Sequence, residues 1–499
     1  MFSFWDWAVV ALYFAIMAGI GVYFSRRNRN LKDFMFGGGN MPWLAVGISL
    51  IATSVSASTF LGNPANSFAN DMRLLMLNFG AVAAIFIIGA VFIPRYKASG
   101  VSSAYELLET KFSRPVRTLA AGLYSCHLLL RAGMLLFGPA LILKAMLGVP
   151  IWASICVMAA GSVVYTYFGG IRAIAWTDVL QFTIFLGSGL LIIAWIAHAV
   201  GGLGETLSLA AEAGKTRWFS AEWDPASARN IWSAGVAYIA FEVAIRGCDQ
   251  QFVQRYLSTR NAREANYSSI ASVLLGICVG LVFFTVGAAL YVYFEVKGLS
   301  ALPAGATAND ALPFFILNVL PTGLKGLLGA AIMGEALSSL NSLYSALSNT
   351  TVTDFLRRKG AQKIADEGRN PDGGDLRAAR VWVLIWGGIA TLVAFAVAQS
   401  DQTLLDTALF FTSLFTGPLL ALFLMAFFRP GLNPRAVLAA AFGGMGVLLL
   451  FLKIPMLPAW EPLYPVAWTW NPLIAMSATV AIAHVLSPVL GSQKSTNRS

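Results

Sequence analysis

The sequence predicts an all-α polytopic membrane protein with about thirteen transmembrane helices, and three observations carry that prediction. Of the 499 residues, 57% are hydrophobic and only 12% charged, where a soluble domain carries about 25% charged residues. Apolar runs of the roughly 17–25 residues that span a bilayer recur along the whole chain. The basic residues are distributed unequally between alternate loops.

The spans fall at roughly 5–25, 42–62, 74–95, 118–146, 150–169, 177–200, 230–250, 266–294, 312–350, 379–398, 403–428, 436–453 and 468–488. The first belongs to "MFSFWDWAVVALYFAIMAGIGVYFSRR", whose positive charges follow the apolar run. A secretory signal places them before it, so this segment reads as a retained helix. With the N-terminus outside, and with residues at span ends and in the helical extensions of 312–350 counted with their loops, 24 of the 34 Lys and Arg residues fall on the cytoplasmic side, eight fall outside, and two (Arg131 and Arg246) lie deep within spans. This positive-inside bias predicts an outside N-terminus and a cytoplasmic C-terminus, in the plasma (cell inner) membrane. The net charge of +10 then reflects topology and attraction to anionic membrane lipid, and no nucleic-acid partner is expected.

Enzyme chemistry finds no support. The four cysteines (Cys126, Cys156, Cys248 and Cys278) sit in or beside apolar runs without CxxC spacing, and the three histidines are scattered. No nucleophile–base pair or nucleotide loop is present, and "FGGGN" at 36–40 follows no strand.

Two spans are interrupted by polar residues. In "VGISLIATSVSASTFLGNP", Thr53, Ser54, Ser56, Ser58 and Thr59 place five hydroxyls within seven residues. In "AYIAFEVAIRGCDQQFVQR", the interruption comes from Glu242 and Arg246. Five spans separate the starts of the two, and broken helices at matching positions of two halves point to a transporter's central site. The expected organisation is an N-terminal extra helix and cytoplasmic loop (1–41), a first five-helix half (42–200), an external loop with a short surface helix (201–229), a second, inverted five-helix half (230–428), and two C-terminal helices with a short tail (429–499). The polar, Gly-rich loop 360–378 is expected to be mobile.

The segment "GEALSSLNSLYSALSN" at 334–349 is the most oxygen-rich in the chain. On a helix, Glu335, Ser338, Ser342, Ser345 and Asn349 step by three and four and share one face, flanked by Ser339 and Asn341. Isolated serines at a membrane helix interface serve packing, whereas a whole oxygen-bearing face containing a carboxylate offers the ligands that a hard cation prefers. Asp178 opens an apolar span, either as a cap favoured by the helix dipole or as an ion ligand. Arg131 lies deep in an apolar span, where it meets a cavity, a solute or an internal acid such as Glu242. Glu242 and Arg246 are four apart and can pair along their helix, with a solute contact by Glu242 as the alternative.

Four segments, "SSAYELLETKF", "GGIRAIAWTDVLQF", "FVQRYLSTRNAREA" and "EALSSLNSLYSALSN", occur in this order, and together they resemble the sodium:solute symporter family. The resemblance runs from about residue 5 to 455. It implies a LeuT-like fold, a five-plus-five inverted repeat, with sodium as the coupling ion. A first sodium site is implied at the carbonyls of Ala52, Val55 and Glu335 and the hydroxyls of Ser338 and Ser339; Glu335 stands where relatives have a small residue. Resemblance to the sialic acid branch implies a possible second sodium site at Asp178, Ser338, Asn341 and Ser342. It also implies solute contacts from Ser54, Ser56, Thr59 and Asn78, with Arg131 receiving a carboxylate, and Glu242 stands where sugar carriers have an Asn. The expectation is therefore a symporter importing a small carboxylate-bearing organic solute of the sialic acid or monocarboxylate type. The alternatives are a neutral sugar, polyol or nucleoside, with Arg131 as an internal partner, and, more remotely, a transporter-like solute sensor.

Overall fold

Apolar runs become helices throughout, and the described residues of the computed structural model (3–25, 30–55, 57–147, 149–303, 305–356, 372–399, 403–454 and 460–491) contain no strand. In chain order the helices are α1 (Phe4–Ser25), α2 (Leu31–Phe36), α3 (Trp43–Ser54), α4 (Ala57–Ala69), α5 (Leu77–Ile87), α6 (Ile93–Ser99), α7 (Glu106–Lys111), α8 (Arg114–Leu147), α9 (Ile151–Val200) and α10 (Leu203–Glu212). There follow α11 (Tyr238–Cys248), α12 (Gln250–Ser258), α13 (Ala262–Tyr291), α14 (Ala308–Asn318), α15 (Leu324–Thr350), α16 (Asp372–Gln399), α17 (Thr403–Phe428), α18 (Pro434–Leu449) and α19 (Asn471–Val489). Helix α10 is the surface helix expected in 201–229. Most of the loop 360–378 lies outside the described residues.

Among the described residues, eight helices are long and apolar enough to cross a membrane, or nine if the bent pair Leu31–Gly39 and Trp43–Ser54 is one span. The 50-residue α9 counts once there, although it contains both spans expected at 150–169 and 177–200. Its arms join at Gly170, whose φ of 62° lies in the left-handed region that a side chain resists. The span expected at 312–350 is corrected: α14 ends at Asn318, and Pro321 and Gly323 (φ 89°) separate it from α15. The N–H groups of Gly323 and Gly326, orphaned at the start of α15, donate to Asp6 Oδ1 at 2.7 and 3.1 Å. This ties α1 to α15.

Both expected breaks are present. Helix α3 stops at Val55, which is extended at φ −80° and ψ 147°. The hydroxyls before it compete for backbone: Thr53 Oγ1 donates to Ser49 O (2.8 Å) and Ser54 Oγ to Leu50 O (3.3 Å). The second break lies inside the expected segment but at Asp249 (φ −78°, ψ 126°), while Glu242 and Arg246 sit within continuous α11. Asp249 explains the stop by capping α12, its Oδ1 accepting from Gln251 N at 2.7 Å. Around these breaks α9 and α15 pack together with α1 across both, α13 covers α3 and α4, and α8 runs beside α15 and α4.

Candidate functional site

The polar face of α15 meets α9 at Asp178. This aspartate is fully buried and accepts hydrogen bonds from Ser49 Oγ of α3 and Ser338 Oγ of α15. The guanidinium of Arg255, on α12, completes the cluster: its Nη2 lies 3.4 Å from Asp178 Oδ2, and it donates to Ser49 Oγ (2.7 Å), Ser342 Oγ (2.6 Å) and Gln251 O (3.0 Å). Four helices therefore converge on one buried ion pair. A charge withdrawn from water needs both a counter-charge and full hydrogen bonding, and Arg255 has both.

The break in α3 faces the same helix. A helix terminus leaves its last carbonyls without intrahelical partners and carries partial negative charge. Val55 O accepts from Ser339 Oγ at 3.2 Å, and Ala52, Val55, Ser338 and Ser339 are all buried. The structure thus brings the end of α3 against the serine wall of α15. Every donor in that set is oxygen, which fits a hard cation.

The second set comes together only in part. Ser338 donates to Asp178, and the Arg255 guanidinium bridges Asp178 and Ser342. Asn341 points to the first arm of α9, where its Oδ1 accepts from Ser162 Oγ (2.8 Å) and Thr166 Oγ1 (3.1 Å). The residues as arranged do not form an all-oxygen cage.

The solute candidates also divide. Ser54 and Thr59 flank the break and are partly exposed, and Ser56 lies outside the described residues. Asn78 donates to Leu75 O (3.0 Å) and lines a cavity of about 380 Å³ with Met72, Leu75, Phe79 and Trp218, which is apolar and not part of the broken-helix centre. Glu242 is held by Arg246 Nε and by Tyr238 Oη (2.8 Å), and Arg246 also reaches Ser272 Oγ at 3.0 Å. Arg131 is therefore not its partner. It is half-buried on α8, within electrostatic reach of His127, Tyr124 and Asp249. Among the described residues it forms no ion pair.

The family model named "Sodium:solute symporter family" matches residues 34–444. The chain belongs to that family. The symporter is 29% identical over 459 residues to the sodium/sialic acid symporter SiaT of Proteus mirabilis (strain HI4320), covering 89% of this chain and 90% of that one. It is 27% identical over 464 residues to the sodium-coupled monocarboxylate transporter 2 of Bos taurus, covering 90% and 72%. A solved substrate-bound, outward-open Na⁺-coupled sialic acid symporter matches its fold with a TM-score of 0.87 at 25% identity, over 99% of this chain and 100% of that one. The symporter is thus an integral membrane transporter of LeuT-like, all-helical fold that couples solute movement to sodium, and not an enzyme.

Several residues that build the symporter's centre escaped sequence reasoning. Arg255 stands in "FVQRYLSTR" between Gln254 and Tyr256, and nothing local marks it as buried. Ser49 lies in the apolar run of α3, and Asp249 is a lone acid after a glycine and a cysteine. Only the pairing of distant helices reveals what they do.

Proposed function

We propose that the symporter imports a small organic solute bearing a carboxylate, received by Arg131, and that its coupling sodium binds where α3 breaks against α15. The observation supporting the solute is Arg131 itself. It is a guanidinium in the middle of an apolar helix, and Glu242, the internal acid considered as its partner, is already held by Arg246 and Tyr238. A planar guanidinium pairs best with a planar carboxylate, through two parallel hydrogen bonds. Two relatives are named for acids, sialic acid and monocarboxylates. Ser54, Ser56 and Thr59 supply hydroxyls beside the solute.

The carbonyls of Ala52, Val55 and Glu335 and the hydroxyls of Ser338 and Ser339 are the proposed sodium ligands. Sodium there holds the end of α3 to α15 and favours the solute-ready arrangement of the break. Each charge moved inward gains about 2.3 kcal/mol per 100 mV of membrane potential. Reciprocity then requires solute to tighten sodium binding. The halves 42–200 and 230–428, an outside N-terminus, a cytoplasmic C-terminus and a plasma (cell inner) membrane location belong to the same reading, supported by the two breaks and the basic loops.

The test is thermal unfolding of the purified protein in Na⁺ and in K⁺ against sialate, short monocarboxylates, hexoses, polyols and nucleosides. A ligand of the folded state raises the melting temperature by mass action. A sodium-dependent rise with a carboxylate, lost in Arg131→Ala, is expected. A rise with a neutral solute that survives Arg131→Ala overturns the carboxylate reading.

A further inference from the structure

Three oxygen atoms near the Gly334–Glu335 peptide are sealed from solvent and have no hydrogen-bond partner among the described residues: Glu335 Oε1, Gln181 Oε1 and Tyr13 Oη. They come from α15, α9 and α1, which pack against one another pairwise. The side chains are almost wholly buried, Glu335 at 1%, Gln181 at 2% and Tyr13 at 4% relative exposure.

Gly334 draws them together. A Cβ at that position would fall 1.7 Å from Tyr13 Oη, so only glycine admits the phenol. Gln181 Nε2 donates to Gly334 O at 3.0 Å, which uses the nitrogen end of the amide and leaves its oxygen. Tyr13 Oη lies within hydrogen-bonding range of the Gln181 amide and within electrostatic reach of Glu335, although its angles leave the phenol oxygen without a well-aligned partner.

Charge defines what is missing. The neighbouring acid, Asp178, is balanced by Arg255, whereas Glu335 has no cation within ion-pair distance among the described residues. An isolated carboxylate away from water is costly and demands compensation. The available atoms are a carboxylate, an amide carbonyl and a phenol, with neither nitrogen nor sulfur, which is a donor set for a hard cation. One negative charge matches a monovalent ion and leaves a divalent one under-compensated.

We propose that the Glu335 carboxylate, Gln181 Oε1 and Tyr13 Oη bind a monovalent cation of sodium's class, at a site between α1, α9 and α15 separate from the coupling site at the α3 break. The inference rests on the coupling-site reading in one respect: the Glu335 carbonyl serves that site and its side chain serves this one. It also brings α1, which precedes the two proposed halves, into contact with a bound cation.

The experiment is equilibrium binding of radioactive sodium to the full-length purified protein at fixed pH, without solute, for wild type, Ser339→Ala, Glu335→Gln and Tyr13→Phe. Wild type is expected to bind one more ion per chain than Glu335→Gln, and Tyr13→Phe to weaken that ion about tenfold. The same ion persists in Ser339→Ala, which is aimed at the coupling site. Equal stoichiometry in wild type and Glu335→Gln overturns the proposal and leaves a proton as the neutralising species. Wild type that binds no sodium overturns this proposal and the coupling-site reading together. If Glu335→Gln does not fold, Tyr13→Phe and Gln181→Met decide, since unchanged sodium affinity in both also overturns the site.

Discussion

Arg255 and Arg131 put the same side chain to opposite uses in one helical bundle. The first is buried and fully satisfied by Asp178, Ser49, Ser342 and Gln251 O. Removing one member of a buried pair strands the other charge and costs about 3–5 kcal/mol. Asp178→Ala is therefore expected to lower the melting temperature sharply in Na⁺ and K⁺ alike, and Asp178→Ala with Arg255→Met to recover part of the loss. A single variant as stable as wild type would show that the pair carries no structural weight. Arg131 forms no such ion pair among the described residues, so Arg131→Ala is expected to leave stability nearly unchanged while solute affinity falls by about 2–5 kcal/mol, the usual cost of truncating one side of a hydrogen-bonded charge pair.

At the scale of the element, the two helix breaks have different chemistry. The first follows from a run of hydroxyls that bond back to their own helix, and such a run is visible in the sequence. The second depends on one aspartate that caps the next helix and also accepts from Tyr124 Oη at 2.7 Å. Loss of a cap costs about 1 kcal/mol, so Asp249→Ala is expected to lower stability by at least that much, read by denaturant unfolding, and Asp249→Asn by less. This difference explains what was legible. Glu242 and Arg246 look disruptive in an apolar span, but four residues apart they satisfy each other and the helix runs straight through them. The serine face of α15 was readable from its three–four spacing. Asn341 stands about 100° round the helix from Ser342, and its partners Ser162 and Thr166 come from a helix whose position no local pattern reveals. The pairing of Arg255 with Asp178, 77 positions apart, was equally beyond local reading.

Across the whole molecule, one end is sealed by a polar network. Arg117 binds Glu109 (2.7 Å), Asp354 (2.8 Å) and Thr353 O (2.7 Å), Ser103 Oγ donates to Asp354, and Ala104 N donates to Gln250 Oε1 at 2.7 Å. Asp354 lies beyond the end of α15. Burial pushes its carboxyl up from 3.8 to about 7, with the Arg117 guanidinium opposing that shift. The sign follows: the folded chain holds this proton more tightly than the unfolded one, so the contribution to stability is full below pH about 4 and is lost as pH rises to about 7. Stability of wild type measured against Asp354→Asn across that window is expected to fall with pH, and parallel curves would place the titration elsewhere. At the other end, Asp6 waits for Gly323 and Gly326, 317 and 320 positions later. During synthesis α1 enters the membrane long before its anchor exists. Its packing on α9 can form earlier in synthesis, but the Asp6 tie to α15 is a late event in biogenesis.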